Sequence, residues 1–190
     1  MTRALFLDRD GVLDELVYYP SHDEWESPRT ATDVKILPGV PDALRRAKAA
    51  GWLLFIVTNQ PSYAKNKVSL ESLQEAHEAV LRGIEVPVTK SYTCYHHPQA
   101  SRAELRLACE CRKPGTLFVR QAAEEFGVDL AESWFIGDQD SDLRCGRAAG
   151  LHVALVESRG SEHKRGAIEP DARFASLAEF VARVIEKSTP

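Results

Sequence analysis

Two aspartates, Asp8 and Asp10, directly follow a short apolar run at residues 4–7. At a spacing of two, both side chains leave a strand end on one side, while Arg9 between them points away. Two carboxylates that close repel each other, and a divalent cation such as Mg²⁺ relieves the repulsion while leaving positions for a substrate phosphate. Gly11 allows a sharp turn that brings backbone N–H groups toward an anion. Taken alone, such a pair is more often a strand end with turn-forming aspartates.

A second acidic set follows another apolar run, at residues 134–136. Asp138 and Asp142 are four residues apart where a helix is predicted to begin, so both lie on one face and Asp142 can support Asp138 near the same ion. Asp140 leaves that face, and we expect it to be solvated. A favourable interaction with the helix dipole is an alternative reason for an aspartate in a first helical turn, but it explains one such residue better than the three found here.

Polar and basic side chains occur at two further places where elements meet. Thr58 and Asn59 end an apolar run, and their hydroxyl and amide suit phosphate oxygens, although both are also ordinary turn residues. Lys113 supplies a positive charge before a predicted helix. Arg112 beside it could grip a second phosphate in bidentate fashion. Each of these residues, taken singly, is more often a turn or surface group.

The elements that would position these residues alternate along the chain. Continuous apolar runs separated by helical periodicity predict an α/β fold with a parallel sheet covered on both faces, whose ligands lie beyond the carboxyl ends of the strands. A polar stretch at 21–33 is predicted as a loop. Strands are predicted at 4–7, 52–57, 91–94, 134–136 and 151–156, the last being the final strand, and helices at 40–50, 69–82, 118–126, 143–149 and 176–187.

Three of the four cysteines lie within eighteen residues and have a histidine beside them. Three thiolates and one imidazole satisfy a closed tetrahedral zinc site, which leaves no open position and is therefore structural. His97 is an alternative ligand, and Cys145 is expected to be a packed thiol in a helix. The predicted zinc ligands are Cys94, His96, Cys109 and Cys111.

Composition narrows the class of protein. The 190 residues suit a single domain over 1–190, and a formal net charge of −4 offers no global positive field for nucleic acid. No apolar run is long enough for a membrane span, and the first residues have no signal-peptide core, which predicts a cytoplasmic location. The sequence leaves the oligomeric state unknown.

Four motifs occur in a fixed order: Asp-x-Asp-Gly, Thr-Asn, Lys-Pro and Gly-Asp-x-x-x-Asp. In this order they resemble the haloacid dehalogenase-like (HAD) phosphohydrolases, over about residues 4–150. The resemblance implies a Rossmannoid three-layer fold and an enzyme that hydrolyses phosphate monoesters. It implies that Asp8 is the nucleophile and Asp10 the general acid and base. It further implies that Thr58 and Lys113 hold the phosphoryl group, with Mg²⁺ on Asp8, the backbone carbonyl of Asp10, and Asp138.

The Cys-x-His…Cys-x-Cys-Arg-Lys-Pro segment resembles the D-glycero-D-manno-heptose 1,7-bisphosphate 7-phosphatases and the related histidinol-phosphate phosphatases. The resemblance implies that a zinc loop at 94–111 partly walls the site and that no large cap domain exists. It also implies that Arg112 contacts the phosphate left on the product, so the expected partner is a small phosphorylated substrate, a sugar bisphosphate. The twelve residues between His96 and Cys109 favour the heptose group.

The chain departs from that family near the predicted substrate. The usual Ser-Gly-x-Ala-Arg-Gly is replaced at residues 61–66, where Lys65 and Asn66 stand for arginine and glycine, and Lys-Pro-x-Pro-Gly is shortened at 113–115. The segment 16–33 is longer than in the simplest members. Histidinol phosphate or another small ester, a nucleic-acid 3′-phosphatase, and a non-catalytic metal-binding HAD fold remain alternatives. A non-catalytic protein of this fold would be expected to lack the nucleophile or the general acid, but both Asp8 and Asp10 are present.

Overall fold

A computed structural model describes residues 2–186, which build one six-stranded sheet in which every neighbouring pair is parallel. The strand order is β5-β4-β1-β6-β7-β8. The sheet strands are β1 (Ala4–Leu7), β4 (Leu53–Asn59), β5 (Lys90–Cys94), β6 (Trp134–Gly137), β7 (His152–Val156) and β8 (Ala172–Phe174), with a separate hairpin of β2 (Val17–Tyr19) and β3 (Glu24–Glu26). The helices are α1 (Val40–Ala49), α2 (Leu70–Gly83), α3 (Leu117–Phe126), α4 (Asp140–Ala149) and α5 (Leu177–Phe180).

Helices cover both faces of the sheet, and the alternation of side chains along β1 shows why. Leu5 and Leu7 point into a cluster built with α1, α2 and α5, whereas Ala4 and Phe6 point into a cluster built with α3 and α4. All four side chains are fully buried, which is why the run is continuously apolar. The predicted three-layer α/β architecture is confirmed.

Most predicted boundaries agree with the structure to within a few residues. Ser69 caps α2 by accepting a hydrogen bond from the Ser72 backbone N–H, as its position predicts. The helices α3 and α4 end at Gly127 and Gly150, both in the left-handed region. The helix predicted at 143–149 begins earlier, at Asp140, because polar residues of its first turn carry no apolar signal.

The structure differs from the sequence prediction in three places. The polar stretch at 21–33 contains β3 and a 3-10 turn at Ala31–Asp33, and strands of three residues are too short to show a period. A further strand, β8, follows β7. The terminal helix continues from α5 as a π-helical turn at Val181–Ile185, and its predicted end at Lys187 lies outside the described residues.

The sheet brings the predicted site residues to one edge. Since β1 lies between β4 and β6, the carboxyl ends of these three strands meet there, where the strand order changes direction. Residues 2–186 contain no separate cap domain, and the β2–β3 hairpin is the insertion between β1 and α1. No helix within that part of the chain could cross a membrane. A single domain over 1–190 stays a prediction.

Candidate active site

Lys113 lies between two carboxylates at the centre of the edge. Its Nζ is 2.7 Å from Asp8 Oδ1 and 2.8 Å from Asp142 Oδ1. Asp138 completes the acidic set, because one oxygen from each of the three aspartates lies within 4.8 Å of the others. All four residues are buried, so these charges are screened little by water. The structure thus brings together the ends of β1 and β6 and the segment before α3.

The electrostatics of this cluster favour a divalent cation. Burial raises the pKa of Asp8 to about 7, with Lys113 opposing the shift and Asp142 adding to it. Burial also raises the pKa of Asp138 well above its ordinary range, with the nearby Ser161 side chain opposing the shift, and neither carboxylate oxygen of Asp138 has a close hydrogen bond within residues 2–186. Hard carboxylate oxygens without partners are the donor set that Mg²⁺ prefers. The cluster therefore provides the predicted side-chain ligands Asp8 and Asp138, with Asp142 in support, and the Asp10 backbone carbonyl stays a predicted ligand.

Gly11 is required for the approach of β1 to β6. Its φ is +89°, and a Cβ atom there would lie 2.7 Å from Cγ of Asp138, far inside van der Waals contact. Gly137 likewise leaves no room for a side chain, because an added methyl group would overlap Cβ and Cγ of Asp142. The two glycines let the acidic side chains reach the backbone of the neighbouring element.

Asp10 is held by a separate set of hydrogen bonds. Arg9 donates from Nε and one terminal nitrogen to Asp10 Oδ1, at 3.1 and 2.8 Å, and Gln60 Nε2 donates to Oδ2 at 2.6 Å. The prediction that Arg9 points away from Asp10 is therefore wrong. Arg9 is fully buried, and a buried guanidinium requires a carboxylate partner. The Asp10 side chain lies outside the three-aspartate cluster.

The residues after β4 divide between two tasks. Thr58 is buried and donates to Asp10 Oδ2 over 3.4 Å. Asn59 was expected to face phosphate oxygens, but its amide donates to the Lys113 carbonyl at 3.2 Å and accepts from the Lys113 N–H at 3.1 Å. Asn59 thus fixes the backbone that carries the lysine. Gln60 was missed, although a position two residues after Thr58 places it on the same side of the strand end.

A cleft of about 340 Å³ leads outward from Asp8. Lys65 and Arg112 also line it, and because both are partly exposed whereas Asp8 and Lys113 are buried, we assign them to its outer part. Neither forms an ion pair with a carboxylate within residues 2–186. Burial lowers the pKa of Arg112, and burial together with Lys67 lowers that of Lys65. Arg112 is oriented by donating to the His96 carbonyl at 3.2 Å. Glu26 and Glu24 act on Lys65 from beyond ion-pair distance and oppose the lowering of its pKa. Two partly desolvated cations that form no direct ion pair are suited to bind an anion.

The predicted zinc ligands converge beside this cleft. The sulfur of Cys94 is 3.7 Å from that of Cys109 and 3.3 Å from that of Cys111, and Nδ1 of His96 lies 3.3 Å from the Cys111 sulfur. Ligands of a tetrahedral zinc ion stand about 3.7 Å apart when Zn–S bonds are about 2.3 Å, so the four donors fit that metal. His97, the alternative ligand, is outside the cluster, and its Nδ1 accepts from a backbone N–H.

Two other predictions concern residues near these clusters. Cys145 is a buried thiol that donates to the Gly115 carbonyl, as expected for a packed cysteine. Asp140 was expected to be solvated, but its carboxylate accepts hydrogen bonds from the backbone N–H groups of residues 166–168. It fixes the loop before β8 and takes no part in the acidic cluster.

Known proteins resemble this chain along almost its whole length. A family model for HAD-hydrolase-like proteins matches residues 110–180. The D-glycero-β-D-manno-heptose-1,7-bisphosphate 7-phosphatase of Escherichia coli (strain K12) is 32% identical over 197 residues, covering 98% of this chain and 96% of that protein. The enzyme of the same name from Pseudomonas putida is 30% identical, covering 96% of this chain and 99% of that protein.

Solved structures agree with the sequence relatives. The crystal structure of D,D-heptose 1,7-bisphosphate phosphatase from B. bronchiseptica, complexed with magnesium and phosphate, superposes with a TM-score of 0.79 at 25% identity, covering 98% of this chain and 100% of that one. The family resemblance inferred from the four motifs and from the cysteine segment is thereby confirmed. The chain belongs to the HAD-like phosphatases, in the family that contains the D-glycero-β-D-manno-heptose-1,7-bisphosphate 7-phosphatases.

Proposed function

We propose that this phosphatase removes the 7-phosphate of D-glycero-β-D-manno-heptose 1,7-bisphosphate, the substrate named for its relatives. One observation carries the proposal beyond the family match. A single cleft has Asp8 and Lys113 at its inner end and the unpaired cations Lys65 and Arg112 in its outer part. A substrate with a phosphate at each end of a short sugar chain matches that distribution of charge.

In the first step, a carboxylate oxygen of Asp8 attacks the phosphorus of the 7-phosphate. An O–P bond to Asp8 forms as the bond between phosphorus and the sugar oxygen breaks, and Asp10 gives its proton to the departing alkoxide. The Lys113 ammonium and the Arg9 backbone N–H both contact Asp8 Oδ1, so the carboxylate is held in one orientation for the attack. The product of this step is an aspartyl-phosphate and the sugar monophosphate.

In the second step, water attacks the phosphorus of the aspartyl-phosphate. Asp10, now a carboxylate, takes a proton from the water, and the bond between phosphorus and Asp8 breaks to release inorganic phosphate. The Lys113 ammonium balances the charge of the phosphoryl oxygens, and the Thr58 hydroxyl turns from Asp10 to donate to one of them. Arg9 and Gln60 hold Asp10 in the same place during both proton transfers, because their hydrogen bonds engage both of its oxygens.

Two metals belong to this proposal. Magnesium held by Asp8, the Asp10 carbonyl and Asp138, with Asp142 in support, would neutralise negative charge on the phosphoryl group. Zinc held by the cysteine and histidine cluster would fix the chain that continues directly into Arg112. Free thiols in such a cluster suit a reducing compartment, so the proposed location is the cytoplasm.

Phosphate release from heptose 1,7-bisphosphate and from histidinol phosphate, measured side by side in Mg²⁺, tests this function. We expect release of one phosphate from the heptose, at least about 10³-fold slower in Asp8→Asn because the nucleophile is lost. Asp129→Asn, which changes an exposed cap of a short turn, serves as the matched control and should keep full activity. Faster release from histidinol phosphate would refute the substrate, and an active Asp8→Asn variant would refute the mechanism.

A further inference from the structure

The β2–β3 hairpin is anchored to two other segments of the chain. On one side, Lys67 from the segment after β4 forms ion pairs with Glu24, at 3.0 Å, and with Glu26. On the other side, the guanidinium of Arg159, from the loop after β7, lies 5.1 Å from the ring centroid of Trp25. These contacts hold β3 in a defined position beside the cleft, which Glu26 of this strand lines.

Among the residues of β2 and β3, Glu26 is the one that lines the cleft. Its side chain is 14% exposed, and its oxygens are held separately, Oε1 by Lys67 and Oε2 by Arg29 at 2.6 Å. Burial would raise the pKa of Glu26, but hydrogen bonds from Lys67 and Arg29 outweigh it and lower the pKa to about 2. The carboxylate is therefore an oriented acceptor at every working pH. Each of its oxygens keeps a further lone pair for a ligand.

The charges around Glu26 decide which part of a substrate it can contact. A phosphate is repelled by this carboxylate and attracted by Lys113 at the inner end of the cleft and by Lys65 and Arg112 farther out. Hydroxyl groups donate hydrogen bonds, and an ionised acceptor forms the stronger kind. The part of the substrate that suits Glu26 is therefore the hydroxylated chain between two phosphates.

We propose that Glu26 is a specificity-determining residue that accepts hydrogen bonds from substrate hydroxyls and so selects polyhydroxylated phosphate esters. This inference rests on the proposed phosphatase function and adds the recognition of the sugar chain to it. It assigns a task to the lengthened segment between β1 and α1. The hairpin is then part of the substrate site, in addition to covering it.

Glu24 provides a matched control, because it binds the same Lys67 from the same strand but does not border the cleft. The test compares Glu26→Gln with Glu24→Gln on heptose 1,7-bisphosphate and on 1,7-heptanediol bisphosphate, which carries both phosphates but no other oxygen. The measured quantity is the ratio of kcat/KM for the two substrates. Glu26→Asp, which keeps the charge but withdraws it by one methylene, is the second variant.

We expect Glu26→Gln to lower that ratio roughly 10- to 100-fold, the worth of hydrogen bonds to a charged acceptor, with Glu26→Asp changing it in the same direction. Glu24→Gln should leave the ratio within about twofold, since an exposed ion pair contributes little. An unchanged ratio in Glu26→Gln would overturn the inference. So would equal loss on both substrates, which is the signature of a purely structural contact.

The same experiment separates this inference from the proposed function. If the wild type hydrolyses heptose bisphosphate but Glu26→Gln leaves the kcat/KM ratio unchanged, the inference about Glu26 is refuted and the proposed function stands. If the wild type releases no phosphate from heptose bisphosphate, the function fails, and sorbitol 6-phosphate against hexyl phosphate then decides the task of Glu26. If the kcat/KM ratio of sorbitol 6-phosphate to hexyl phosphate falls in Glu26→Gln but not in Glu24→Gln, hydroxyl recognition by Glu26 is supported. If that ratio is unchanged in Glu26→Gln, hydroxyl recognition is refuted.

Discussion

Replacing Lys113 by methionine should destabilise the magnesium-free protein far more than loss of any surface lysine. Unit charges 2.7 Å apart attract by about 6 kcal/mol at an effective dielectric constant of 20, and the cost of burying the ammonium offsets part of this. Removing one partner of a buried pair typically costs about 3–5 kcal/mol, because the other charge is left unpaired. Two carboxylates, Asp8 and Asp142, lose their partner here, so we expect a loss in that range at pH 8.

The pH dependence of this loss follows from the same charges. Burial alone would lower the pKa of Lys113, but Asp142 and Asp8 outweigh it and raise the pKa above its ordinary value, so the lysine is charged throughout the range below pH 10. In Lys113→Met the Asp8 carboxylate loses the cation that lowers its pKa, so it can take up a proton as the pH falls. The difference between wild type and variant should therefore shrink between pH 8 and pH 5.5.

Urea unfolding of both proteins without magnesium, at pH 8 and pH 5.5, measures this difference. Lys90→Met is the matched control, since Lys90 pairs with Glu125 on the surface, and its loss should cost less than about 1 kcal/mol. A loss from Lys113→Met no larger than that of the control, at pH 8, would show that the two aspartates do not depend on the lysine. A loss that grows toward pH 5.5 would contradict the assigned charges.

Three further predictions concern the metals and the turn at the site. Gly11→Ala should lower kcat about 10²-fold by displacing Asp138, whereas Gly51→Ala, with the same left-handed φ but nothing within 4 Å, should leave the kcat of the enzyme unchanged. Cys109→Ser should lose the bound zinc in elemental analysis, and retention of one zinc per chain would contradict the ligand set; Cys145→Ser is the control. Burial raises the pKa of Asp8 from 3.8 to about 7, so between these pH values the folded protein without magnesium holds a proton that the unfolded chain has lost. Its free energy of unfolding should therefore fall by up to about 4 kcal/mol from pH 4 to pH 7. Urea midpoints across that window measure the fall, and added Mg²⁺ should reduce it.

The sequence predicts the inner part of the site because strand ends carry short, regular signals. An apolar run followed by Asp8, and another followed by Asp138, places both carboxylates at one edge once the sheet is parallel. The cysteine and histidine spacing likewise predicts a cluster that the structure brings together. Both predictions need only chain direction and local periodicity, which the residues display.

The partners of these residues could not be predicted in the same way. Arg9 turns back to Asp10 because it is buried and has no other carboxylate within hydrogen-bond distance among the described residues. A three-residue stretch of sequence does not show that its charged residue will be buried. Asn59 binds the backbone of Lys113, 54 residues away in the chain. The β2–β3 hairpin is too short for a periodic pattern and is stabilised by Lys67 from a distant segment. Long-range pairing of polar groups depends on the assembled fold.

Three consecutive residues connect the cysteine and histidine cluster, the outer cleft and the inner site. Cys111 is a cluster member, Arg112 borders the outer cleft, and Lys113 lies between the buried aspartates. The backbone of this short segment is fixed from one side by the cluster and from the other by both amide hydrogen bonds of Asn59. A shift of the metal ligand would therefore move both cations with respect to the substrate. The cysteine and histidine cluster can thus affect catalysis by positioning charges, although none of its four members lines the cleft.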